Sequence, residues 1–520
     1  MESIGRYANH GTMPRSSRSS ILGATMDFRV LFATFLEPAG GADEARQPRQ
    51  HRLYACLREA ILQGRLDADT ALPSSRTLAE LLGIARNTVL HAYERLTAEG
   101  YVIADRQGTR VARTGLPPAR AERVPPLAPP PLSRRAASLS RNIDRPGELG
   151  AFVLGVPALD AFPLTAWRRS VERAWRRIGP AQLDYQPAAG NLRLRQAIAS
   201  YLRVSRGVAC EAEQVLITDG TQYGLDLCAR ALADAGDIAW IENPGYGGAR
   251  VALQAAGLRL VPVPVDAHGL APAAELWRSA PPRLVYITPS HQYPLGAVMS
   301  QERRVALVQA ARDAGAWIVE DDYDSEFRHH GTPLAALQNV VRDAPVIYLG
   351  TFSKVMFPAL RVGFVVVPGA IAPELEQVSS ALSPRGRLAD HLALAEFIEA
   401  GHFSRHLRRM RRVYAERRDV LHEALTRRLG GLLTVSAGDG GMHLSARLDA
   451  PVADVEVERV ARAHGLVLRA LSPFCLPGSD SSAYNGLVLG YGNVPAESME
   501  AAVTRLERAI VEVRGETRRT

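Results

Sequence analysis

Between residues 48 and 113, apolar positions recur at helical spacing and then alternate with polar ones over two short runs. Leu53, Leu57 and Ile61 are spaced for one face of a helix that ends near Gly64. The pattern predicts two further helices over residues 74–83 and 85–100, and short strands at 100–103 and 108–112. A helix, a helix–turn–helix and a two-stranded wing together predict a winged-helix domain.

From about residue 149 to residue 515, short apolar runs alternate with helical patterns. The runs at 215–217, 238–241, 284–287, 317–319 and 346–349 are typical of strands buried on both faces. Their alternation with helices predicts an α/β fold with a mainly parallel sheet. From about residue 375, arginine-rich helices precede strands near 442–448 and 487–489, which predicts a smaller α+β subdomain.

Two segments lack such patterns. Residues 1–47 show no sustained period and are predicted to be a flexible tail, in which Met13 and Met26 are alternative translation starts. Residues 114–148 are rich in Pro and Ala with interspersed Arg, which predicts a semi-rigid spacer between two folded blocks.

Composition narrows the class of protein. The chain has 520 residues, too many for one core, and its formal net charge of +8 suits a polyanionic partner. Its four cysteines show no paired spacing, which argues against a disulfide framework or a zinc site. No metal is expected. Since no apolar run approaches the roughly 18 residues of a membrane span, we expect a cytoplasmic protein without a membrane partner.

Polar side chains cluster where a winged helix would present its recognition helix to DNA. Arg and Asn can read base edges, whereas Ser and Thr hydroxyls mostly position a protein on phosphates. Arginines that flank the wing can reach phosphates or the minor groove. A solvated helix face is the alternative interpretation. The predicted DNA-binding residues are Ser75, Arg76, Arg86, Asn87, Thr88, His91, Arg106 and Arg110.

Lys354, with Asp321 and Tyr323 upstream, predicts a site for pyridoxal phosphate (PLP). A lysine amine forms a Schiff base with the cofactor's aldehyde. A carboxylate such as Asp321 keeps the pyridine nitrogen protonated, and Tyr323, two residues on, can reach the ring hydroxyl from the same strand face. The spacing between Asp321 and Lys354 leaves room for one helix and one strand. Both are therefore expected at neighbouring strand ends, where α/β sheets bind ligands.

Other segments supply groups for the phosphate and the ring of the cofactor. A strand that enters a helix through Gly220 exposes amides that can cradle a phosphate. Ser353 and Arg361 add a hydroxyl and a forked cation. Tyr246, just past a turn, can stack on a flat ring, although an isolated tyrosine more often packs in a core. The remaining predicted cofactor-binding residues are Thr221, Gln222, Gln292 and Thr351.

The motifs at 72–76, 86–89, 243–246, 290–294, 320–327 and 350–354 resemble those of the MocR family of bacterial regulators, and the resemblance covers roughly residues 48–515. It implies a GntR-type winged helix joined to a fold-type-I aminotransferase-like domain. It also implies a head-to-tail homodimer in which one chain's winged helix lies on the partner's large domain. The resemblance implies that Lys354 is the Schiff-base lysine, that Asp321 pairs with the pyridine nitrogen and that Tyr323 contacts the ring hydroxyl. It also implies that Tyr246 covers the ring and that the phosphate is held by Gly220, Thr221, Ser353 and Arg361.

Two departures from the family pattern bear on the ligand. Members that sense γ-aminobutyrate have an arginine at the position of Gly248 and another in a serine-rich turn that resembles residues 471–474, where this sequence has none. Since a carboxylate needs a cation, γ-aminobutyrate is not the expected effector, although Arg250 could substitute. Leu295 is bulkier than the small residue usual in the family and is expected to reshape the pocket rim.

These features predict a PLP-dependent regulator that binds a double-stranded DNA operator, with paired half-sites for the two modules of a dimer. The expected effector is an amine or amino acid that displaces Lys354 from the cofactor, or PLP itself. The alternative hypothesis is a working aminotransferase that its DNA-binding module only localises.

Overall fold

The computed structural model describes residues 47–106, 108–113, 133, 136, 139, 150–328, 335–341, 343–383, 386–436, 438 and 440–517. The predicted tail and the predicted spacer lie outside the described residues, apart from residue 47 and residues 133, 136 and 139. The chain divides into two compact units, Met1–Pro131 and Leu132–Thr520. No described helix is long and apolar enough to cross a membrane.

The first unit contains the predicted three helices and two-stranded wing. Ser74 caps the second helix by accepting a hydrogen bond from the Thr77 amide, and Gly83 ends that helix with a left-handed φ of 61°. Apolar residues predicted for the third helix, such as Val89 and Leu96, lie in the core of the unit. Its elements are α1 (Arg49–Leu62), α2 (Ser75–Leu82), α3 (Arg86–Ala98), β1 (Val102–Asp105) and β2 (Gly108–Val111).

An eight-stranded sheet forms the centre of the second unit. Its strands are β3 (Val215–Thr218), β4 (Ile238–Asn243), β5 (Arg259–Asp266), β6 (Gly269–Leu270), β7 (Leu284–Ile287), β8 (Trp317–Asp322), β9 (Val346–Thr351) and β10 (Gly363–Val366). Their order is β3-β10-β9-β8-β7-β4-β5-β6. Strands β9, β8, β7, β4 and β5 pair in parallel, whereas β10 is antiparallel to both of its neighbours.

Helices cover both faces of this sheet, which explains the apolar runs in the sequence. Successive strand residues enter different cores: Val319 lies in one and Ile318 in another, and Ile347 and Val346 divide in the same way. The helices are α4 (Leu164–Arg177), α5 (Leu192–Ser205), α6 (Thr221–Leu232), α7 (Gly247–Ala255), α8 (Leu276–Ser279), α9 (Gln301–Ala314), α10 (Ala372–Leu382), α11 (Leu388–Glu399) and α12 (His402–Leu429).

A smaller antiparallel sheet, of order β11-β12-β14-β13, follows the long helix α12. It contains the strands predicted near 442–448 and 487–489. Phe152, near the start of the second unit, bridges to Gly490 of this sheet. The elements are β11 (Leu433–Val435), β12 (His443–Leu448), α13 (Asp454–Ala463), β13 (Arg469–Ala470), β14 (Gly486–Gly490) and α14 (Ala496–Thr517).

Candidate functional site

A cavity of about 1070 Å³ opens where the parallel strands β7, β8 and β9 end. Ligands of α/β sheets bind at this edge, because the loops that follow the strands converge there. Met442 and His443, at the start of β12, contribute to the opposite wall. The predicted cofactor-binding residues that line the cavity are Thr221, Gln222, Tyr246, Asp321, Tyr323, Thr351, Ser353, Lys354 and Arg361.

Lys354 lies just after β9 and donates a hydrogen bond from Nζ to the carbonyl oxygen of Gly155 at 3.0 Å. A β-carbon at Gly155 would lie 2.2 Å from that Nζ, and the φ of Gly155 is 68°, so only glycine allows this approach. Lys354 is also the only lysine among the 520 residues. Lys354 is therefore the only lysine side chain of the sequence that can link to an aldehyde, a signal that the motifs alone do not show.

Asp321 lies on β8 directly beside β9, as its spacing from Lys354 predicts. Its Oδ2 atom accepts a 2.7 Å hydrogen bond from the hydroxyl of Tyr286 on β7. Burial raises the pKa of Asp321 to about 7, against the opposing effects of the Tyr286 hydrogen bond and the Lys354 charge. Its Oδ1 atom is buried and has no hydrogen-bond partner within the described part of the chain. A protonated ring nitrogen would satisfy that atom.

The predicted phosphate ligands surround the first turn of α6. Gly220 precedes this helix with a φ of 80°, and a β-carbon there would lie 3.2 Å from the guanidinium carbon of Arg361. Arg361 donates to the Asp219 carbonyl at 3.1 Å, and Arg387, a residue the sequence did not reveal, donates to the Arg361 carbonyl at 2.8 Å. The Ser353 hydroxyl is buried without a hydrogen-bond partner among the described residues. Helix amides, a forked cation and an unsatisfied hydroxyl fit a phosphate.

Tyr323 lies one residue beyond β8, with its hydroxyl 2.9 Å from the carbonyl oxygen of His291 and 3.0 Å from the Nδ1 atom of the same residue. His291 and Asp324 are both buried and lie at hydrogen-bonding distance from each other. Burial raises the pKa of the Tyr323 phenol well above its usual value, and the Asp324 charge adds to this. Tyr323 is therefore a neutral phenol at the cavity wall.

Tyr246 and Tyr293 meet edge to face at the cavity, with ring centroids 5.7 Å apart. Tyr293 lies within a motif that the sequence highlighted, but its place at the cavity was not predicted. Gly248, where γ-aminobutyrate sensors carry an arginine, lies beneath Tyr246: a β-carbon there would be 2.5 Å from the phenol. Gln222 donates to the Gly248 carbonyl at 3.0 Å and so holds the N-terminus of α7 against α6.

Two predicted cofactor-binding residues, Gly220 and Gln292, do not line the cavity. Gly220 acts through its backbone conformation at the start of α6. The Gln292 amide is fully buried and donates to the carbonyls of Pro244 and Tyr293, at 2.9 and 2.7 Å, so it holds the turn together instead of facing the cavity. Arg250, the suggested substitute cation, does not line the cavity either. Arg469 of β13 does, and it pairs with Glu458 at 3.3 Å.

The predicted DNA-binding residues lie at the start of α2, on α3 and in the wing of the first unit. Arg86 opens α3 and donates to the Ser75 hydroxyl at 3.2 Å, which joins the N-termini of the two helices. Arg76 pairs with Glu80 on α2, and Arg110 pairs with Asp105 across the wing. The side chains exposed to solvent are those of Arg76, Arg86, Asn87, His91 and Arg106, while Ser75, Thr88 and Arg110 are half-buried.

Comparison with protein families matches both units. Residues 152–483 match aminotransferase class I and II, and residues 49–111 match the bacterial regulatory proteins of the gntR family. Among solved structures, the chain is similar to LysN, the α-aminoadipate aminotransferase of Thermus thermophilus, in complex with N-(5'-phosphopyridoxyl)-L-leucine. That similarity has a TM-score of 0.64 and 30% identity, and it covers 70% of this chain and 92% of LysN.

Two regulators resemble the chain over most of its length. The probable rhizopine catabolism regulatory protein MocR of Rhizobium meliloti is 41% identical over 474 residues, which are 90% of this chain and 95% of the relative. The pyridoxine biosynthesis transcriptional regulator PdxR of Corynebacterium glutamicum is 33% identical over 459 residues, 87% of this chain and 94% of the relative.

Proposed function

The chain belongs to the MocR family of bacterial transcription regulators, and we propose that its gntR-family domain binds an operator under the control of a PLP site at Lys354. The observation that carries this proposal is that Asp321 Oδ1 and Ser353 Oγ, both buried with no hydrogen-bond partner among the described residues, belong to side chains that line the same cavity as Lys354. Their place beside Lys354 suits the polar groups of a bound cofactor, which would satisfy both atoms.

When bound, the cofactor supplies an aldehyde that links to primary amines and a ring that withdraws electrons. The Lys354 amine is the covalent anchor. Asp321 holds the proton of the ring nitrogen, and Tyr323 binds the ring hydroxyl. Thr221, Ser353 and Arg361 hold the phosphate, together with the amides at the start of α6. Tyr246 covers the ring and excludes water.

The effector is an amine or amino acid that competes with Lys354 for the cofactor, or PLP itself. MocR and PdxR of other bacteria are named for the control of different pathways, so the family does not fix the effector. Gly248 has no side chain, so this position supplies no cation for the carboxylate of γ-aminobutyrate. The missing cation supports an effector other than γ-aminobutyrate.

On DNA, α3 lies in the major groove of each half-site, where Arg86 and Asn87 read base edges. The wing arginines Arg106 and Arg110 contact phosphates or the minor groove. The protein acts in the cytoplasm as a head-to-tail homodimer, so that two winged helices bind paired half-sites. An effector changes operator binding only through its different affinity for the two arrangements of such a dimer.

A second candidate function is amino-group transfer. The 2-aminoadipate transaminase of Thermus thermophilus is 32% identical over 383 residues, 72% of this chain and 92% of that enzyme. Lys354, Asp321 and Tyr323 supply the residue types that such chemistry uses, so half-reactions are chemically feasible. Sustained conversion of a keto acid would favour the enzyme, whereas a spectral change without turnover would favour the sensor.

The test is an absorbance spectrum of the purified protein with PLP, before and after a panel of amines and amino acids. We expect a visible band that survives gel filtration in the wild type and is lost in Lys354→Ala and in Lys354→Arg, which keeps the charge. Because the chain has one lysine, borohydride reduction and mass spectrometry should find a single modified peptide, at Lys354. A band that persists in both variants would contradict the proposal.

A further inference from the structure

The hydroxyl of Tyr323 belongs to a buried network that the roles above do not use. It donates to the backbone carbonyl of His291 at 2.9 Å and lies 3.0 Å from Nδ1 of the same residue. That nitrogen also lies 3.1 and 3.0 Å from the two carboxylate oxygens of Asp324. Because Asp324 follows Tyr323 directly in the chain, a phenol and a carboxylate converge on one imidazole nitrogen.

The chemistry of these groups decides where their hydrogens lie. Burial raises the pKa of Asp324, and His291 opposes this effect. When ionised, the carboxylate only accepts hydrogen bonds, so Nδ1 of His291 then carries the hydrogen between them. The same N–H lies within reach of the Tyr323 oxygen and can fill its acceptor position. The phenol then keeps its own hydrogen for donation, either to the His291 carbonyl or to an acceptor in the cavity.

The loop before β12 packs directly on the pair. Asp324 is 1% exposed and His291 is 4% exposed. A β-carbon at Gly441 would lie 2.3 Å from Asp324 Oδ2 and 2.3 Å from a ring carbon of His291. Between groups buried to this extent a hydrogen bond is stronger than in water.

The nearby His443 does not turn the pair into a metal centre. Its ring offers a third ligand atom within 4.8 Å of those of His291 and Asp324. However, the separation of His291 Nδ1 from the carboxylate is that of a hydrogen bond, and Nε2 of His443 is engaged with the Pro294 carbonyl at 3.1 Å. These bonds favour a hydrogen-bond network over a metal site.

We propose that Asp324 and His291 are positioning residues, which hold Tyr323 as a hydrogen-bond donor to the ionised hydroxyl of the cofactor ring. The inference rests on the proposed function, because it requires PLP in the cavity. In this proposal Asp324 and His291, which lie in the family-like motifs, affect the cofactor only through Tyr323.

Weakening this donor should raise the pH at which the visible band of the bound cofactor titrates, because a hydrogen bond to the ionised oxygen stabilises the deprotonated form. In Asp324→Asn the carboxylate is lost, and the amide no longer requires a hydrogen on Nδ1. Loss of the Asp324 charge by itself lowers the midpoint, and the same change in Tyr323→Phe measures that effect. We expect the midpoint in Asp324→Asn to lie about one pH unit above the value that this charge effect alone gives. Other ionisable groups that face Tyr323 and Asp324 stay the same in the variants: Glu242, Asp321, Asp322, Tyr293, Lys354, His443 and Tyr491.

The experiment is a double-mutant cycle on PLP-loaded protein, read as the midpoint pH of the visible band. Asp324→Asn is made in the wild type and in Tyr323→Phe, and we expect the two shifts to differ by about one pH unit, the wild-type shift being the more positive. If Asp324→Asn folds poorly, His291→Phe takes its place in the cycle. Phenylalanine keeps a ring but has no hydrogen-bond donor, so this variant should also raise the midpoint. The matched control is Asp454→Asn, since Asp454 is also buried but bonds Ser472 and should leave the midpoint unchanged.

Each outcome bears on a different claim. A wild-type protein that shows no visible band overturns the proposed function and this inference with it. A band whose midpoint is unchanged in both Asp324→Asn and His291→Phe overturns the inference alone. Equal shifts with and without the Tyr323 hydroxyl also overturn it, because the pair would then act on the cofactor by another route.

Discussion

At the scale of the residue, the candidate site depends on contacts between residues that lie far apart in the chain. Lys354, Asp321 and Tyr323 follow from residue types that PLP requires and from their spacing. Gly155 could not be predicted, because it lies 199 residues before Lys354 and only the folded chain brings them together. Tyr286 was missed for a similar reason, since its contact with Asp321 depends on which strands are neighbours.

Gly155→Ala should weaken cofactor retention more than it weakens the fold. Its new β-carbon would lie 2.2 Å from Lys354 Nζ, so the lysine must leave its present position. We expect a loss of PLP affinity of about tenfold or more, equivalent to roughly 1.4 kcal/mol, measured by absorbance titration.

Gly315→Ala is the matched control for this change. Gly315 has a φ of 65°, close to the 68° of Gly155, but a β-carbon there meets nothing within 4 Å. Both variants therefore carry the backbone strain of a left-handed alanine. Thermal melts should show a similar loss of stability in each, of the order of 1 kcal/mol. Equal PLP affinities in the two variants would show that the contact with Lys354 is not important.

At the scale of the element, helices and strands were predictable wherever one periodicity dominated. The third helix of the first unit shows its apolar face in the sequence, and the central strands are apolar throughout because both of their faces are buried. The strand order was not predictable. Strand β10 lies between β3 and β9 and is antiparallel to both, although a mainly parallel pattern surrounds it.

Helix α3 provides the clearest test of the DNA interface. Arg86→Ala removes an exposed guanidinium at the start of the predicted recognition helix and should weaken operator binding by about 10- to 100-fold, or roughly 1–3 kcal/mol. Fluorescence anisotropy on operator and scrambled duplexes, at several salt concentrations, separates base reading from phosphate contact. Arg65→Ala makes the same charge change at an exposed position in the turn after α1, outside the predicted DNA-binding residues. Equal losses in the two variants would contradict the assignment of Arg86.

At the scale of the whole molecule, the chain joins a gntR-family unit to an aminotransferase-like unit that contains the candidate cavity. Family membership accounts for both units. The regulatory hypothesis adds one claim, that occupancy of the cavity and affinity for DNA are linked. Linkage is reciprocal, so a ligand at Lys354 that changes operator affinity must itself bind differently when operator is present.

The most direct test of this claim is the operator affinity of the purified protein without PLP, with PLP, and with PLP plus an amine that shifts the visible band. The operator is selected from genomic fragments with the protein itself. We expect at least one of these additions to change the dissociation constant by about 5- to 150-fold in the wild type and to have no effect in Lys354→Arg. Identical operator affinity under all three conditions would contradict the account.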